Sequence, residues 1–317
     1  MQQRDVEILA SNAGRMVGTP GHEAARAYIT ERLIQIGIKG YDEGSHELPY
    51  QRDGGSFVNV VGCIPGENRE LPAVLLGAHY DTCGPYPGAD DNAAAIAVLL
   101  SIAEQLKDMD LEREIILAFF DGEEPPNLIG PAMGSIRFYE DHLKGDIHCA
   151  IIMDLIGHDV PVPGLADLLF VTGMESDPGL EPLVRRSEPR AGLSLVPTLN
   201  SYVGDMSDHH VFRANRLPYL FLTCGRWEHY HRDTDTPEKL SYTKIKATTK
   251  YLLDIAVLAC STQLNGPFEG YDTTQTEAYF LRKNVQPALE RLGLKMDLDS
   301  RRSIDQLANL MMTHFNL

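Results

Sequence analysis

Apolar and polar residues alternate along this chain in two different rhythms, and the switch between them outlines the fold. From Glu23 to Gly37 apolar residues recur at helical spacing and stop at a glycine, with Thr19-Pro20-Gly21 as a helix entry. Two extended stretches follow, around Ser45–Tyr50 and Phe57–Cys63, the second closed by Pro65-Gly66. Ala73–Ala78 is a continuous apolar run bounded by Pro72 and His79, the mark of a buried central strand. Asn92–Leu106 has the length and Ala/Leu/Ile content of a helix. Glu114–Phe120 and His148–Met153 read as further buried strands. Beyond the Gly- and Pro-rich stretch from Gly157 to Gly164 come a strand at Leu168–Thr172 and a helix starting near Pro178. Leu217–Thr223 reads as another strand and Tyr242–Ser261 as a long helix.

Strands alternating with helices predict an α/β fold, a mostly parallel central sheet with helices on both faces. Gln263–Thr276 reads as a linker, and Glu277–Leu292 and Ser300–Phe315 as two amphipathic helices. The expected organisation is a catalytic domain over 1–264 and a linker with C-terminal helices over 265–317. Those helices have three open roles: capping the sheet, covering a site entrance or making a dimer contact.

The 317 residues, 43% hydrophobic and 23% charged, have the composition of an ordinary globular protein. A net charge of −17 with no Lys/Arg block excludes nucleic acid as a natural partner. A solvated acidic surface accounts for most of that charge, which also favours the approach of a cationic group such as a peptide's free amine. Cys63, Cys83, Cys149, Cys224 and Cys260 are scattered without CxxC spacing, so they form neither a disulfide framework nor a thiolate zinc site. Packing in a reducing compartment is the expectation, although Cys83 stands close to a polar cluster. Nowhere do about 18 apolar residues run together, and the N-terminal segment has no apolar signal core. No membrane association is expected. The placement is cytoplasmic, or secreted if a signal has been removed.

The chemistry sits at the ends of the apolar runs. His79, Asp81, Glu123, Glu124 and Asp154 each follow a predicted strand, where open α/β sheets bind their ligands. With Asp90-Asp91 and His231 they supply the histidines and carboxylates needed to hold two divalent ions side by side. Each has an ordinary alternative: Asp90-Asp91 can cap a helix, Glu123-Glu124 can face solvent from a turn, and a single histidine is more often structural. Ser207-Asp208-His209-His210 reads equally as a helix start with exposed histidines. Yet a helix needs one cap, and two glutamates at a buried strand end are costly unless neutralised.

Together the segments GAHYDT, PGADDNA, FFDGEE, Met153-Asp154, SDH and YHRDTDTPEKL resemble the co-catalytic zinc aminopeptidase family, over roughly residues 15 to 260. Glutamate carboxypeptidase and glutaminyl cyclase are relatives of that family. The resemblance implies a zinc exopeptidase-like fold and a peptide substrate. It implies that His79 and Asp154 hold one zinc, that Glu124 and His231 hold the other, and that Asp91 bridges them. Manganese or cobalt would suit the same oxygen-rich set. Glu123 becomes the general base and Asp81 the partner that orients His79. Asp91 is preferred to Asp90 because it stands three residues before the small pair Ala94-Ala95. His231 stands four residues before Asp235-Thr236, while His229 has the same spacing to Asp233-Thr234. Pro125–Met133 is longer than in the common family pattern and is expected to reshape the pocket for the first side chain. Tyr202 is a candidate donor to the reaction intermediate. The activity implied is an aminopeptidase. The alternatives are a glutaminyl cyclase-like acyltransferase, a carboxypeptidase drawing on Arg213, Arg216 or Arg226, and a non-catalytic binding relative.

Overall fold

The protein is described here by a computed structural model covering residues 1–317 apart from Asn12, Pro189, Arg190, Glu269, Asn316 and Leu317. Of the expected linker, Glu269 therefore lies outside the described residues. Nine strands form one sheet: β1 (Lys39–Gly40), β2 (Glu47–Arg52), β3 (Gly55–Ile64), β4 (Ala73–His79), β5 (Ile115–Phe120), β6 (Ile147–Met153), β7 (Leu168–Thr172), β8 (Ser194–Pro197) and β9 (Tyr219–Thr223). Their order is β1-β3-β5-β4-β6-β9-β7-β8, with β2 paired to β3. The expected central sheet with flanking helices is present.

Its centre, β5-β4-β6-β9, is parallel, but β1, β2 and β3 are antiparallel on one flank and β7 runs antiparallel to β9 on the other. The β2–β3 hairpin explains part of this difference. Arg52 pairs with Gly55, leaving the two-residue turn Asp53-Gly54, with φ of 52° and 80°. Positive φ at both turn positions matches the twist of paired antiparallel strands, which is why Asp-Gly marks a hairpin.

Burial on both faces explains the unbroken apolar runs. Val74, Leu76 and Ala78 of β4 join one core, while Ala73 and Leu75 join the other. β5 and β6 divide in the same way, Leu117 and Ile151 to the first core, Ala118 and Ile152 to the second. The helix Ala94–Leu106 and the helix Tyr242–Ser261 pack together against the first face. The helix predicted from Glu23 spans Pro20–Ile36; Thr19 Oγ1 accepts the His22 N–H, and Gly37 ends it at φ 90°.

Near the C-terminus the expected helix 277–292 is divided into Thr274–Asn284 and Gln286–Arg291. Pro287 lacks the N–H needed to continue one helix through this point. A last helix spans Arg301–Phe315. The Thr274–Asn284 helix packs on β8, a strand that the apolar pattern had not disclosed. Among the described residues no helix is long and apolar enough to cross a membrane.

Candidate metal centre

The parallel strands deliver the polar residues to one edge of the sheet. His79 is the last residue of β4 and pairs in register with Phe120, the last of β5. Asp154 directly follows β6, and its N–H donates to Leu222 O of β9. Glu123 and Glu124 lie in the turn after β5. That turn is fixed by Asp81, whose Oδ1 and Oδ2 accept the N–H groups of Glu123 and Glu124, each at 3.1 Å. Asp81 Oδ1 also stands 3.5 Å from His79 Nδ1. It thus orients the glutamate turn as well as facing the histidine, a role that spacing did not disclose.

Asp91 lies between the two histidines. Its Oδ1 is 3.3 Å from His79 Nε2 and its Oδ2 is 3.1 Å from His231 Nε2. His79 Nε2 also faces Asp154 Oδ1 at 3.5 Å and Glu123 Oε2 at 3.8 Å, while His231 Nε2 lies 3.0 Å from Glu124 Oε2. The structure separates the Asp90-Asp91 pair. Asp90 turns away, accepting the N–H groups of Gly157 at 2.6 Å and His158 at 3.0 Å while facing His158 Nδ1 at 2.6 Å. It also separates the two histidines of the later loop. His231 joins the cluster with φ at 56°, an uncommon conformation for a non-glycine residue, whereas His229 Nδ1 bonds Thr234 Oγ1.

The loop before Asp91 is held from outside the motif. Arg15, fully buried, donates to the carbonyls of Leu9, Tyr80, Pro87, Gly88 and Asp91 at 2.7–3.2 Å. Gly88 has φ +59°, and a Cβ there would fall 2.3 Å from Asp91 O. Asp235 accepts the N–H groups of Asp90 and Asp91 through its carboxylate. Neither Arg15 nor the capping role of Asp235 was readable from local spacing.

Several buried atoms here lack a hydrogen-bond partner: His79 Nδ1 and Nε2, Glu124 Oε1, Asp154 Oδ1 and His231 Nε2. Orphaned polar atoms are rare in folded proteins, and these converge on shared points. Among the described residues, three groups bring one ligand atom from each member within 4.8 Å of the others: His79–Asp91–Glu124, His79–Glu123–Asp154 and Cys83–Glu124–His231. The donor set of imidazole and carboxylate suits zinc, manganese or cobalt. Cys83, expected to be mainly a packing residue, comes within ligand reach, although burial pushes its thiol up to about 11.

Electrostatics favour a cation among these groups. Burial and the Asp91 charge push Glu124 up to about 8. Glu123 is raised well above the usual carboxylate range by burial, with Glu124, Asp154 and Asp208 adding to it against His79. Burial opposes the charged form of His231, yet the carboxylates of Asp91 and Glu124 beside its Nε2 raise it to about 10. Asp208 is fully buried near His79 and raised by desolvation to about 7. Its neighbour His209 is buried too, stacked on Phe221 at 4.1 Å. The segment 207–210 does start a helix, His209–Ala214 with Asp208 at its N-cap position, but Ser207, Asp208 and His209 are buried there rather than exposed. The His209 ring bonds Gly204 O through Nε2 and stacks on Tyr219 and Phe221, while both carboxylate oxygens of Asp208 lack a hydrogen-bond partner among the described residues.

A cavity of about 270 Å³ opens beside Asp154 and Tyr230. The lining includes Phe170, Val196 and Phe221 but nothing from Pro125–Met133, contrary to the expectation that this segment shapes the pocket. Tyr202 lines it as well, with its hydroxyl bonded to Asp305 and Arg301. Of the three candidate arginines, Arg213 pairs with Asp205 and Arg216 lies over Phe268. Arg226 lines the cavity above Tyr230.

A sheet of this order, with paired histidines and carboxylates at its carboxyl edge, defines a metallohydrolase of the zinc exopeptidase class. A leucine aminopeptidase precursor from Bacteroides thetaiotaomicron superposes with a TM-score of 0.64 at 21% identity, covering 81% of this chain and 95% of that one. Glutaminyl cyclase from Porphyromonas gingivalis superposes with a TM-score of 0.66 at 20% identity, covering 80% and 96%. The sequence profile of peptidase family M28 matches residues 59–256, and the chain belongs to that family. An uncharacterized Escherichia coli protein, YfbL, is 26% identical over 249 residues, 69% of this chain and 74% of that protein. The resemblance carried by the motifs is thereby borne out in family, fold and enzyme class, that of the M28 metallopeptidases.

Proposed function

We propose that this M28 metallopeptidase releases single residues from the N-termini of peptides, using two zinc ions held side by side. Its metal-binding and proton-transferring residues lie in a domain of residues 1–264. One observation carries the reading: the two oxygens of Asp91 face different histidines, His79 at 3.3 Å and His231 at 3.1 Å. His79 and Asp154 would hold one ion, Glu124 and His231 the other, and Asp91 both. Metal bound there lowers the pKa of a water and polarises a carbonyl. Glu123, buried and kept proton-hungry by its carboxylate neighbours, takes a proton from the attacking water and passes it to the leaving amine. Asp81 holds the backbone of that glutamate and its neighbour in place. The carboxylates of the cluster attract the substrate's free amine.

The cyclase reading shares this residue set, and a neighbour in fold carries that name. The sequence favours the peptidase: YHRDTDTPEKL looks more like the hydrolases, and where the cyclases have a tryptophan directly before the metal histidine this chain has Tyr230, which stacks on His231 at 3.7 Å. The cytoplasmic setting belongs to the same proposal and is supported by five thiols that stand unpaired.

Mass spectrometry of a mixed peptide library, with zinc-loaded protein and a chelated control, tests the activity. Stepwise, chelator-sensitive loss of first residues is expected. Loss of ammonia alone from glutamine-starting peptides would make it a cyclase, and trimming from the other end a carboxypeptidase. No change with metal bound would make it a binding protein. Glu123→Gln is expected to keep its metal and lose turnover; retained turnover would remove Glu123 as the base.

A further inference from the structure

The C-terminal extension lies beyond the residues 59–256 that match the family, and yet it reaches the reaction centre. On the helix Arg301–Phe315, Ile304, Leu307 and Met311 are all buried. Their spacing of three and four residues places them along one helical face. That face, with Ala308, forms one wall of the cavity of about 270 Å³. Leu281 and Val285 extend the same wall, and the sheet supplies the opposite one through Phe170, Val196 and Phe221. Asp154, whose Oδ1 is 3.5 Å from His79 Nε2, is one of the lining residues, so the cavity adjoins the metal centre.

The wall is fastened rather than loosely apposed. Arg301 donates to both carboxylate oxygens of the fully buried Glu277, at 2.8 and 2.5 Å. Asp305 accepts from the Tyr202 hydroxyl, which ties the last helix to the segment after β8. A bidentate pair of this kind fixes orientation as well as position.

We propose that the C-terminal helices are part of the active site: they form the wall of the pocket that receives the substrate's first side chain. The pocket selects peptides beginning with a medium or large apolar residue such as leucine, methionine or phenylalanine. This rests on the aminopeptidase reading above. The argument is one of solvation. An apolar side chain entering such a cavity loses unfavourable contact with water, at about 25 cal/mol per Å². A charged side chain would leave its hydration for walls of Ile304, Leu307 and Met311 that offer it no partner, Asp154 and Arg226 being the charged groups of the lining. The size is near the lower end of the roughly 300–1,000 Å³ typical of small-molecule sites, enough for one side chain rather than a long segment.

The test uses the full-length, zinc-loaded protein and peptides that differ only in their first residue. Ala308→Phe fills the cavity from the extension side. It is expected to lower kcat/KM for leucine- and phenylalanine-first peptides by about tenfold or more relative to alanine-first peptides. Leu307→Ala enlarges the cavity and is expected to shift preference from leucine towards phenylalanine. Matched thermal melts show that each variant folds. Unchanged first-residue preference in both folded variants would overturn the inference. Calorimetric titration with L-leucine is a second readout that does not need turnover. Binding to the wild type that is lost in Ala308→Phe supports the pocket, and no leucine binding to the wild type counts against it. If no peptide loses its first residue, the aminopeptidase reading falls, and the leucine titration alone then decides whether the pocket takes apolar side chains.

Discussion

Replacing Arg15 with methionine tests how the loop carrying Asp91 is held. The guanidinium makes hydrogen bonds to the carbonyls of Leu9, Tyr80, Pro87, Gly88 and Asp91, and the residue is 1% exposed. Methionine keeps much of the volume but no donor. At about 1 kcal/mol net per bond the loss approaches 5 kcal/mol. The guanidinium itself is expensive to bury, and relief of that cost returns part, leaving a loss of about 3–5 kcal/mol. Burial already pulls the Arg15 pKa down to about 10, with Asp91, Asp235, Asp81 and Glu124 opposing that shift. At about 2.1 cal/mol/K per residue, a chain of 317 residues unfolds with an entropy of about 0.7 kcal/mol/K. The melting temperature should therefore fall by about 4–7 °C. Zinc affinity should fall with it, because the carbonyl of Asp91 is one of the groups released. Differential scanning fluorimetry and competition with a chelating dye measure the two effects. Arg15→Lys, with a point charge instead of a planar fork, should lie between methionine and wild type. A methionine variant that melts within about 1 °C of wild type and keeps its zinc affinity would refute the reasoning.

Metal removal should be strongly felt, because the carboxylates then repel one another in a buried site. Chelation is expected to lower the melting temperature and added zinc to restore it; at a zinc concentration of about 1,000 Kd the gain is ~4 kcal/mol. Burial and the charge of Asp91 raise Glu124 from the usual 4.5 to about 8. A carboxyl raised in the folded state stabilises the metal-free protein below the unfolded pKa and loses that contribution as pH rises through the folded one. The stabilisation by zinc should accordingly grow across that window; a gain independent of pH would contradict it. His209 behaves in the opposite sense. Burial pulls it down to about 4, so the unfolded state takes up its proton first, and stability falls as pH drops from about 6.5 through 4. The shift corresponds to about 3 kcal/mol, and His209→Phe should flatten that part of a urea-midpoint profile; an unaltered profile would remove His209 as its source.

The periodic signals translated well into structure. Continuous apolar runs became β4, β5 and β6, since strands covered on both faces have no polar side to show. The helix Ala94–Leu106 and the cap at Thr19 were equally legible, because helix propensity and capping act within a few residues. The predicted helix ending at Leu292 was too long because Pro287 was passed over. The β2–β3 hairpin went unread although Asp53-Gly54 announces it. Strand β8, four residues long, is too short for a period to be visible.

For the site, the chain's own order already named the residue types and put them at strand ends, where parallel sheets expose their functional edge. Choosing between neighbours was another matter. Asp91 and Asp90 differ by one position, and what separates them is the distant loop 157–158, which claims Asp90 through three contacts. His231 and His229 have the same local spacing to an Asp-Thr pair, and Glu124 together with Asp91 distinguishes them. Arg15, Asp235 and the helix Arg301–Phe315 lie far along the chain from the motifs they serve. Local pattern carries information over a turn or a strand, because backbone propensity and solvation act at that range. The direction of a carboxylate, the wall of a pocket and the partner of a buried arginine depend on which remote segments the packed core brings into contact, and those contacts leave no mark on neighbouring positions.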